Sequence, residues 1–553
     1  MASHPPHEGT CFDAKRLKRR AWVAAVVAAL GAACSDDRGP REASVPRVRL
    51  DSGSLADAGP EDLGLADASE LLDAAPLDAG FVDASSDASL PDAAPPDSSA
   101  ADAVAPDATL PDAARLDASI PDAGPSIGTS VACREAHGDY FADVLVNSAG
   151  TTLVGYTREY YGSHAPNQAL IVRRSAAGAI LWQKRLGGSG EDGFVKVLEG
   201  TGDTVVAFGN TASHTNGSQE VWAVWFDASG QVSRELIYPG TDWDELYGAR
   251  RTADGGYLLA GYSGSFGALA YDGWLMKLDS AGQVVWQKSY GEASYSQDRF
   301  FDVVELPDGY VIAGRTSSFG VVYEDLWVLR VDLQGVVSWQ NRYHVGVDDR
   351  IYAALPAPNG VYLAGYTADK LWALKLDLTG AVVWSKLIDN TSAELDVAFS
   401  ASPATNGFVT AGYSFFTHIF GNPPSHDYDF FLVRIDDSGQ VVWDRAFGGE
   451  EAEWATGIAR RPSGGWTVTG WTESFAGVSL EPGSWVLDVE PDGSVPGRCG
   501  TEAAHATTLE VTDAPVTIVP TPGIATITTA AATAVSSPEL PAAVSCMPTS
   551  CAQ

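Results

Sequence analysis

Acidic residues recur along this chain at intervals of about 50 residues and are the first candidates for chemistry. Carboxylate oxygens are ligands that suit Ca²⁺, and paired carboxylates are the acid and base of glycosidases. The alternative is that each carboxylate forms only local caps and turn hydrogen bonds. The positions that we consider as calcium ligands are Asp192, Asp244, Asp298, Asp349, Asp396 and Glu451.

Aromatic and histidine residues form a second candidate group, in segments whose length varies along the chain. Exposed aromatic rings suit stacking on a sugar or contact with a protein partner. The alternative is that these rings pack against neighbouring structural units. The two histidines near residue 420 match no zinc or EF-hand spacing. The candidate ligand-binding residues are Tyr160, Tyr161, His164, Phe266, Tyr271, Phe415, Phe416, His418, His426 and Tyr428.

Both groups lie within a repeat of roughly 50 residues that occurs seven times between residues 130 and 500. Each copy contains an apolar strand that ends in a Gly-Tyr-Thr-like triplet. A repeat of this length cannot bury its apolar faces alone, so the copies must pack on one another and close a ring. The sequence predicts an all-β fold, a seven-bladed β-propeller of four-stranded antiparallel blades, over residues 128–500. The triplets begin at Gly155, Gly209, Gly261, Gly314, Gly365, Gly412 and Gly470.

A second pattern, Asp-x-x-Gly-x-x-x-Trp, marks the turn between the predicted third and fourth strands of most copies. The acidic residue can accept backbone N–H groups in the turn, and glycine tolerates a positive φ there. We expect the indole ring to pack one blade on the next. The pattern resembles the tryptophan-docking repeat of quinoprotein-like propellers, and the whole unit resembles Gly-Tyr-Thr propeller repeats of bacterial secreted proteins and lipoproteins. The resemblance implies the fold and no particular activity. The tryptophans are Trp182, Trp286, Trp339, Trp384 and Trp443.

The connections of a four-stranded blade divide between the two faces of the propeller. The connections from strand one to two and from three to four are short and repetitive, as at Asp308-Gly309 and Asn359-Gly360. The connections from strand two to three and from blade to blade vary in length and carry the aromatic and acidic candidates. Variable loops on a rigid scaffold commonly bind ligands. We therefore expect the binding face on that side.

The N-terminal 34 residues read as a signal peptide. Basic residues from Lys15 to Arg20 precede thirteen apolar or small residues and then Cys34, which is the order of a secretory signal. Residues 30–34 resemble a bacterial lipobox, which implies a lipid on Cys34 and a membrane anchor. The alternative is cleavage after Ala33 and a soluble product. The sequence predicts an exported cell-envelope protein, an outer-membrane lipoprotein at the surface or in the periplasm.

Residues 35–127 are rich in Asp, Ala and Pro and predict a disordered acidic tether, because such a composition cannot bury enough apolar surface to fold. The part from residue 51 to 125 contributes about −16 to the formal net charge of −36. An acidic chain without a basic patch is a poor binder of nucleic acid. We expect a monomer without nucleic acid.

Four cysteines remain outside the predicted signal, and all lie at the edges of the repeat array: Cys133, Cys499, Cys546 and Cys551. An even number in an exported chain predicts disulfides. Repeat alignment puts Cys499 at the end of the seventh fourth strand, so that Cys133–Cys499 would lock the ring. Pairing of Cys499 with Cys546 is the alternative and would pin the tail. That tail, residues 501–553, is rich in Thr, Ala and Pro and would form edge strands or an appendage.

Two functional hypotheses follow. The first is a binding or scaffold module for an envelope protein or a glycan, without catalysis and without a cofactor, although Ca²⁺ is compatible with the acidic series. The second is an enzyme that acts on a polysaccharide, a glycoside or a quinone-linked substrate with carboxylates at the mouth of the central channel. The fold alone does not decide between them.

Overall fold

The computed structural model describes residues 130–133, 138–158, 166–213, 218–266, 271–292, 296–321, 323–418, 425–449, 451–474, 483–495, 503–505 and 509–520. Within these ranges the regular secondary structure consists of β-strands joined by turns and loops, without a helix. The described residues therefore contain no helix that is long and apolar enough to cross a membrane. The predicted signal peptide with Cys34 and the acidic tether lie outside these ranges, as do Cys499, Cys546 and Cys551.

The repeats form seven antiparallel sheets, each built on four strands, and this confirms the predicted seven-bladed propeller. The chain begins its described part with strand β1 (Ser130–Cys133). Blades 1 to 3 consist of β2 (Gly138–Asn147), β3 (Gly150–Arg158), β4 (Gln168–Arg174) and β5 (Ile180–Leu186); β6 (Asp192–Glu199), β7 (Val205–Thr211), β8 (Glu220–Phe226) and β9 (Val232–Tyr238); and β10 (Asp244–Arg251), β11 (Tyr257–Ser263), β12 (Asp272–Leu278) and β13 (Val284–Tyr290).

Blades 4 to 7 follow the same order along the chain. They consist of β14 (Asp298–Leu306), β15 (Gly309–Thr316), β16 (Asp325–Asp332) and β17 (Val337–His344); β18 (Arg350–Ala357), β19 (Gly360–Thr367), β20 (Lys370–Asp377) and β21 (Val382–Asn390); β22 (Leu395–Ala404), β23 (Gly407–His418), β24 (Ser425–Ile435) and β25 (Val441–Gly448); and β26 (Glu453–Arg460), β27 (Trp466–Thr472) and β28 (Gly483–Val489).

The ring is closed by the N-terminal strand. Strand β1 pairs with β28 and is the fourth strand of blade 7, with Cys133 opposite Ser484. The prediction that the stretch ending at Cys499 forms this strand is therefore wrong. Strand β1 precedes blade 1 in the chain, so its backbone hydrogen bonds with β28 connect the first repeat to the last. A fourth strand supplied by the seventh repeat itself would not make this connection. Blade 1 also contacts blade 7 directly, since the Thr456 hydroxyl donates to the Phe141 carbonyl.

The C-terminal tail adds a fifth strand to three blades, which confirms the edge-strand prediction. Strand β29 (Ala503–His505) pairs with β25 of blade 6, β30 (Leu509–Asp513) with β21 of blade 5, and β31 (Thr517–Pro520) with β17 of blade 4. The tail thus runs backwards along the rim of the propeller. It covers the open edges of these three blades, which would otherwise present unpaired backbone groups.

The fourth strands dock on the next blade through the predicted tryptophans. Each indole Nε1 donates to a backbone carbonyl in the strand three-to-four turn of the following blade. The donor and acceptor pairs are Trp182 and Ala228 at 3.0 Å, Trp286 and Leu333 at 3.1 Å, Trp339 and Leu378 at 3.1 Å, Trp384 and Asp437 at 2.9 Å, and Trp443 and Pro491 at 3.0 Å. In blade 2, Arg234 replaces the tryptophan and donates to the Ala281 carbonyl in the same way. The blade-on-blade prediction is confirmed.

The glycine of each triplet is required by close packing of two backbones. The innermost strand of every blade contains a β-bulge opposite this glycine, as between Phe300 and Asp302 opposite Gly314. A Cβ at Gly314 would lie 1.9 Å from the Arg299 carbonyl oxygen, and the other six triplet glycines are equally confined. The triplet therefore fixes the bulge, and the bulge directs side chains toward the ring axis.

We expect Gly439→Ala to lower the free energy of unfolding by about 3 kcal/mol. Gly439 has a φ of 84°, and a Cβ there would lie 2.9 Å from Cδ2 of Trp384. Gly202→Ala is the matched control, because Gly202 has a φ of 67° with nothing within 4 Å of the added atom. Gly202→Ala should lower the free energy of unfolding only by the backbone strain, about 1 kcal/mol. Urea denaturation measures both, and equal losses would contradict the docking role of the turn.

Candidate functional site

The bulges line the propeller axis with one residue from each blade. These residues are Ala142, Val195, Tyr247, Phe301, Tyr352, Phe399 and Thr456. Ring centroids of neighbouring blades lie 5.0 Å apart for Tyr247 and Phe301, and 4.9 Å apart for Phe301 and Tyr352. Because side chains from consecutive blades touch, they face the central channel. The channel is asymmetric, with large rings on blades 3 to 6 and small residues on the other three blades.

A second layer of channel residues, the triplet layer, comes from the middle of each triplet and its partner on the innermost strand. The pairs in blade order are Tyr140 and Tyr156, Gly193 and Asn210, Glu245 and Tyr262, Arg299 and Arg315, Arg350 and Tyr366, Val397 and Tyr413, and Trp454 and Trp471. This layer lies toward the face with the variable connections, because the triplet ends the second strand.

The triplet layer has an aromatic half on blades 6, 7 and 1. Tyr140 stacks on Tyr156 with centroids 4.8 Å apart and meets Trp471 at 6.0 Å across the closed junction. Trp454 lies 5.0 Å from Trp471 and 5.2 Å from Tyr413. Tyr140, Tyr156 and Trp471 are only half-buried. This half offers partly accessible aromatic surface.

The other half of the triplet layer, on blades 3 to 5, is charged. Glu324, in the connection between β15 and β16, bonds both Arg315 and Arg350, with the Arg350 guanidinium 2.6 Å away. The Arg299 guanidinium lies 4.6 Å from the Tyr262 ring centroid, and the Tyr262 hydroxyl donates to Glu245 at 2.5 Å. Arg315 and Arg350 are 8% and 6% exposed. Three arginines thus contribute to this half of the layer, of which Arg315 and Arg350 are buried and Arg299 is half-buried.

The two glutamates of this charged half have opposite electrostatic environments. Burial raises the pKa of Glu245 to about 7, although Tyr262 and Arg299 act in the other direction. Burial also acts to raise the pKa of Glu324, but Arg315 and Arg350 hold that pKa below its usual range. Near neutral pH, Glu324 is therefore an anion while Glu245 is partly protonated.

Sequence reasoning missed these charged residues because each departs from the repeat pattern that guided it. Arg315 stands where the triplet usually has tyrosine, in Gly314-Arg315-Thr316, and Arg350 follows the acidic pair at 348–349. A comparison of the seven copies for departures, rather than for shared residues, would have found Arg315. Nothing in the linear order indicates that Glu324 reaches Arg350.

The acidic series lies at the start of the innermost strands, beside the third residue of the triplet. Asp192 accepts the Thr211 hydroxyl at 2.5 Å and the Gly188 N–H at 2.9 Å. The hydroxyls of other blades bond in the same way, in the pairs Ser263 and Asp244, Thr316 and Asp298, Thr367 and Asp349, and Ser414 and Asp396. In blade 7 this position belongs to Glu453, which accepts the Thr472 hydroxyl at 2.7 Å, and Glu451 is exposed in the preceding turn.

Burial changes the acidity of this series. It raises the pKa of Asp244 and Asp298 to about 6 and that of Asp396 to about 7, against the hydrogen bonds that favour the charged form. Burial likewise raises the pKa of Asp349. Their oxygens accept hydrogen bonds from the two strands and the turn around them, and a calcium ion would have to compete with these donors. Calcium binding at the series stays a prediction.

The aromatic candidates divide between the channel and the blade cores. Tyr271 lies 5.0 Å from Tyr262 of the triplet layer, and Tyr428 lies 5.2 Å from Trp454 and 4.6 Å from Phe415. Phe266 instead stacks on Trp274 inside blade 3. The remaining members fall into three groups: Phe416 is half-buried on β23, His418 and His426 are strand residues whose side chains are not described, and Tyr160, Tyr161 and His164 lie outside the described residues.

One histidine and two aspartates form the one metal-ligand-like group of three in the described part of the chain. Nδ1 of His344 lies 3.0 Å from Asp325 and 3.1 Å from Asp349. Arg342 also bonds Asp325, at 2.9 Å. The arginine forms an ion pair with Asp325, and the imidazole lies between the two buried carboxylates at the contact of blades 4 and 5.

No protein-family model and no curated protein matches this chain. Solved structures similar to it include the Pan2 WD40 domain of Neurospora crassa, with 11% identity and a TM-score of 0.38 over 63% of this chain and 88% of that domain. A putative 6-phosphogluconolactonase from Bacteroides uniformis has 12% identity and a TM-score of 0.39 over 66% of this chain and 98% of that chain. Sqt1 from Chaetomium thermophilum has 13% identity and a TM-score of 0.37 over 70% of this chain and 90% of that chain.

The raised pKa values predict a pH dependence of stability. A carboxyl that holds its proton up to pH 6 or 7 when folded, but only to about pH 4 when unfolded, takes up a proton on folding between these values. The stability from these groups is complete below pH 4 and is lost as the pH rises toward 7. Asp396→Asn should therefore lose less stability than the wild type between pH 5 and pH 7.5, as measured by denaturant unfolding.

The same experiment separates the hydrogen-bonding role from calcium binding. Repeating it with millimolar Ca²⁺ should leave both pH curves unchanged if Asp396 serves only its own blade. Stabilisation of the wild type at pH 7.5 by Ca²⁺, absent in Asp396→Asn, would instead establish the calcium prediction. Identical pH slopes for the two proteins would contradict the burial argument.

Proposed function

We propose that this protein is a non-enzymatic binding or scaffold module for an envelope protein or a glycan. The supporting observation is the concentration of aromatic and charged side chains in the triplet layer, on the face with the variable connections. Tyr271, directly before β12, and Tyr428, on β24, contact this layer. The opposite face consists of tight turns such as that at Asp279, whose carboxylate accepts N–H groups of its own turn. The β-propeller provides the rigid support.

The proposal includes an extracytoplasmic location. It rests on the N-terminal sequence, in which a basic and apolar leader precedes Cys34 and an acidic segment of about 90 residues follows it. A lipid on Cys34 would hold the propeller at a membrane, and a self-repelling linker would keep it away from the surface. An envelope protein or an envelope glycan is the partner that such a location offers.

An enzyme acting on a glycoside is the second candidate function. One observation favours it, since the pKa of Glu245 is raised while that of Glu324 is lowered in the same layer. Environments that drive two carboxyl pKa values apart can make one group an acid and the other a base. In this chain, however, Glu324 is bonded by two arginines and Glu245 by a tyrosine. These partners leave neither carboxylate free to act on a substrate, and we therefore prefer the binding role.

The hairpin of β23 and β24 allows a sharp test of the binding face. Phe415 and Tyr428 face each other in register, so residues 416–427 can be replaced by Asn-Gly, which forms a two-residue hairpin turn. We expect the immobilised full chain to retain a partner from native envelope extract and the shortened variant to retain at least tenfold less. Asp203→Ala, at an exposed turn of the opposite face, should behave as the wild type. Quantitative mass spectrometry and glycan analysis measure retention.

Two results would contradict the proposal. Equal retention by the wild type and the hairpin variant would show that the variable face does not bind the partner. Release of reducing sugar from an envelope polysaccharide by the purified chain, abolished in Glu245→Gln, would favour the enzyme.

A further inference from the structure

The charged half of the triplet layer contains more guanidinium groups than bonded carboxylates. Among the described residues of this half, Glu324 is the carboxylate that forms ion pairs with arginines, and it pairs with both Arg315 and Arg350. Arg299 contacts only neutral groups, the Tyr247 hydroxyl at 3.4 Å and the Gln297 side-chain oxygen at 3.2 Å. Glu245 acts on Arg299 electrostatically while its own carboxylate accepts from Tyr262. In a chain with a formal charge of −36, this is a local concentration of positive charge.

Several buried donors in the same place lack a partner. Nε of Arg299, of Arg315 and of Arg350 forms no hydrogen bond within the described part of the chain. Arg315 and Arg350 are more than nine-tenths buried. A buried donor without an acceptor is unfavourable, so the charged half is suited to receive an anion with several acceptor oxygens. Guanidinium groups bind carboxylates through two parallel hydrogen bonds.

The aromatic half of the same layer narrows the class of ligand. Tyr140 and Trp471 present partly accessible rings at the same level of the channel as the arginines. Aromatic faces bind the apolar C–H face of a sugar ring, whereas an acidic peptide has no such flat apolar face. A ligand that uses both halves has a ring and a carboxylate.

The geometry points to the triplet layer as a site for an acidic saccharide, with Arg299, Arg315 and Arg350 binding the carboxylate of a uronic-acid unit and the aromatic half stacking on a neighbouring sugar ring. The inference rests on the proposed binding function and names its ligand class. Asp348 lies on the loop before Arg350, near Tyr366. Its carboxylate would repel a ligand that carries negative charge on that side. A neutral saccharide would leave uncompensated the positive charge that exceeds the charge of Glu324.

Calorimetric titration of the full chain with trigalacturonate tests this site. The matched neutral probe is the methyl ester of the same trisaccharide, which keeps the rings and removes the charge. We expect the ester to bind at least tenfold more weakly, the size of a lost charge-assisted hydrogen bond. Arg299→Gln should weaken trigalacturonate at least tenfold and leave the ester unchanged. Arg251→Gln, an exposed arginine at the other end of an innermost strand, is the control and should bind as the wild type.

Each other outcome has a definite meaning. Equal affinity for the acid and the ester, unchanged affinity in Arg299→Gln, or no binding of trigalacturonate by the wild type would overturn the saccharide assignment. Binding of hexaglutamate in its place would assign the arginines to an acidic peptide and overturn the saccharide while the binding function stands. Failure of the proposed function is separate, because it appears as equal retention by the wild type and the hairpin variant.

Discussion

The propeller depends on one repeated contact, the packing of a fourth-strand tryptophan on the glycine turn of the following blade. At Trp384 the indole ring lies against the backbone of Gly439 while its N–H bonds the Asp437 carbonyl. The glycine gives the turn its positive φ and leaves room for the ring. Five junctions use this contact and a sixth uses Arg234 in place of the tryptophan. At the junction between blades 7 and 1, β1 supplies the closing hydrogen bonds.

The triplet converts this scaffold into a channel of defined composition. Its glycine admits the bulged innermost strand, its third residue bonds the acid at the start of that strand, and its middle residue faces the axis. The glycine has the same role in every blade, and the third residue bonds the acid in blades 2 to 7, so both positions have little freedom to vary. The middle position is free to vary, and in blade 4 it holds Arg315 in place of tyrosine. Chemical specificity in this fold therefore comes from departures from the repeat.

Much of the fold could be predicted from the sequence, because seven copies of a pattern report the same packing requirement seven times. The turn acids, the tryptophan contacts and the blade number all follow from such repetition. Strand β1 could not be predicted in this way, because four residues outside the repeats carry no periodic signal and their partner β28 is about 350 residues away. The site was only partly predictable. Tyr271 and Tyr428, which the sequence proposed as ligand-binding residues, contact the triplet layer, and their binding role stays a prediction. The contact of Glu324 with Arg350 exists only after blades 4 and 5 pack together.

A double-mutant cycle between Trp384 and Gly439 tests the central claim most directly. In Trp384→Ala the space beside Gly439 is open, so an added Cβ should cost only the strain of a positive φ, about 1 kcal/mol. In the wild type the same change meets the indole ring. Urea denaturation of the four proteins should therefore give a coupling free energy of about 2 kcal/mol. Strictly additive losses would contradict the account, because the ring and the glycine turn would then stabilise the propeller independently.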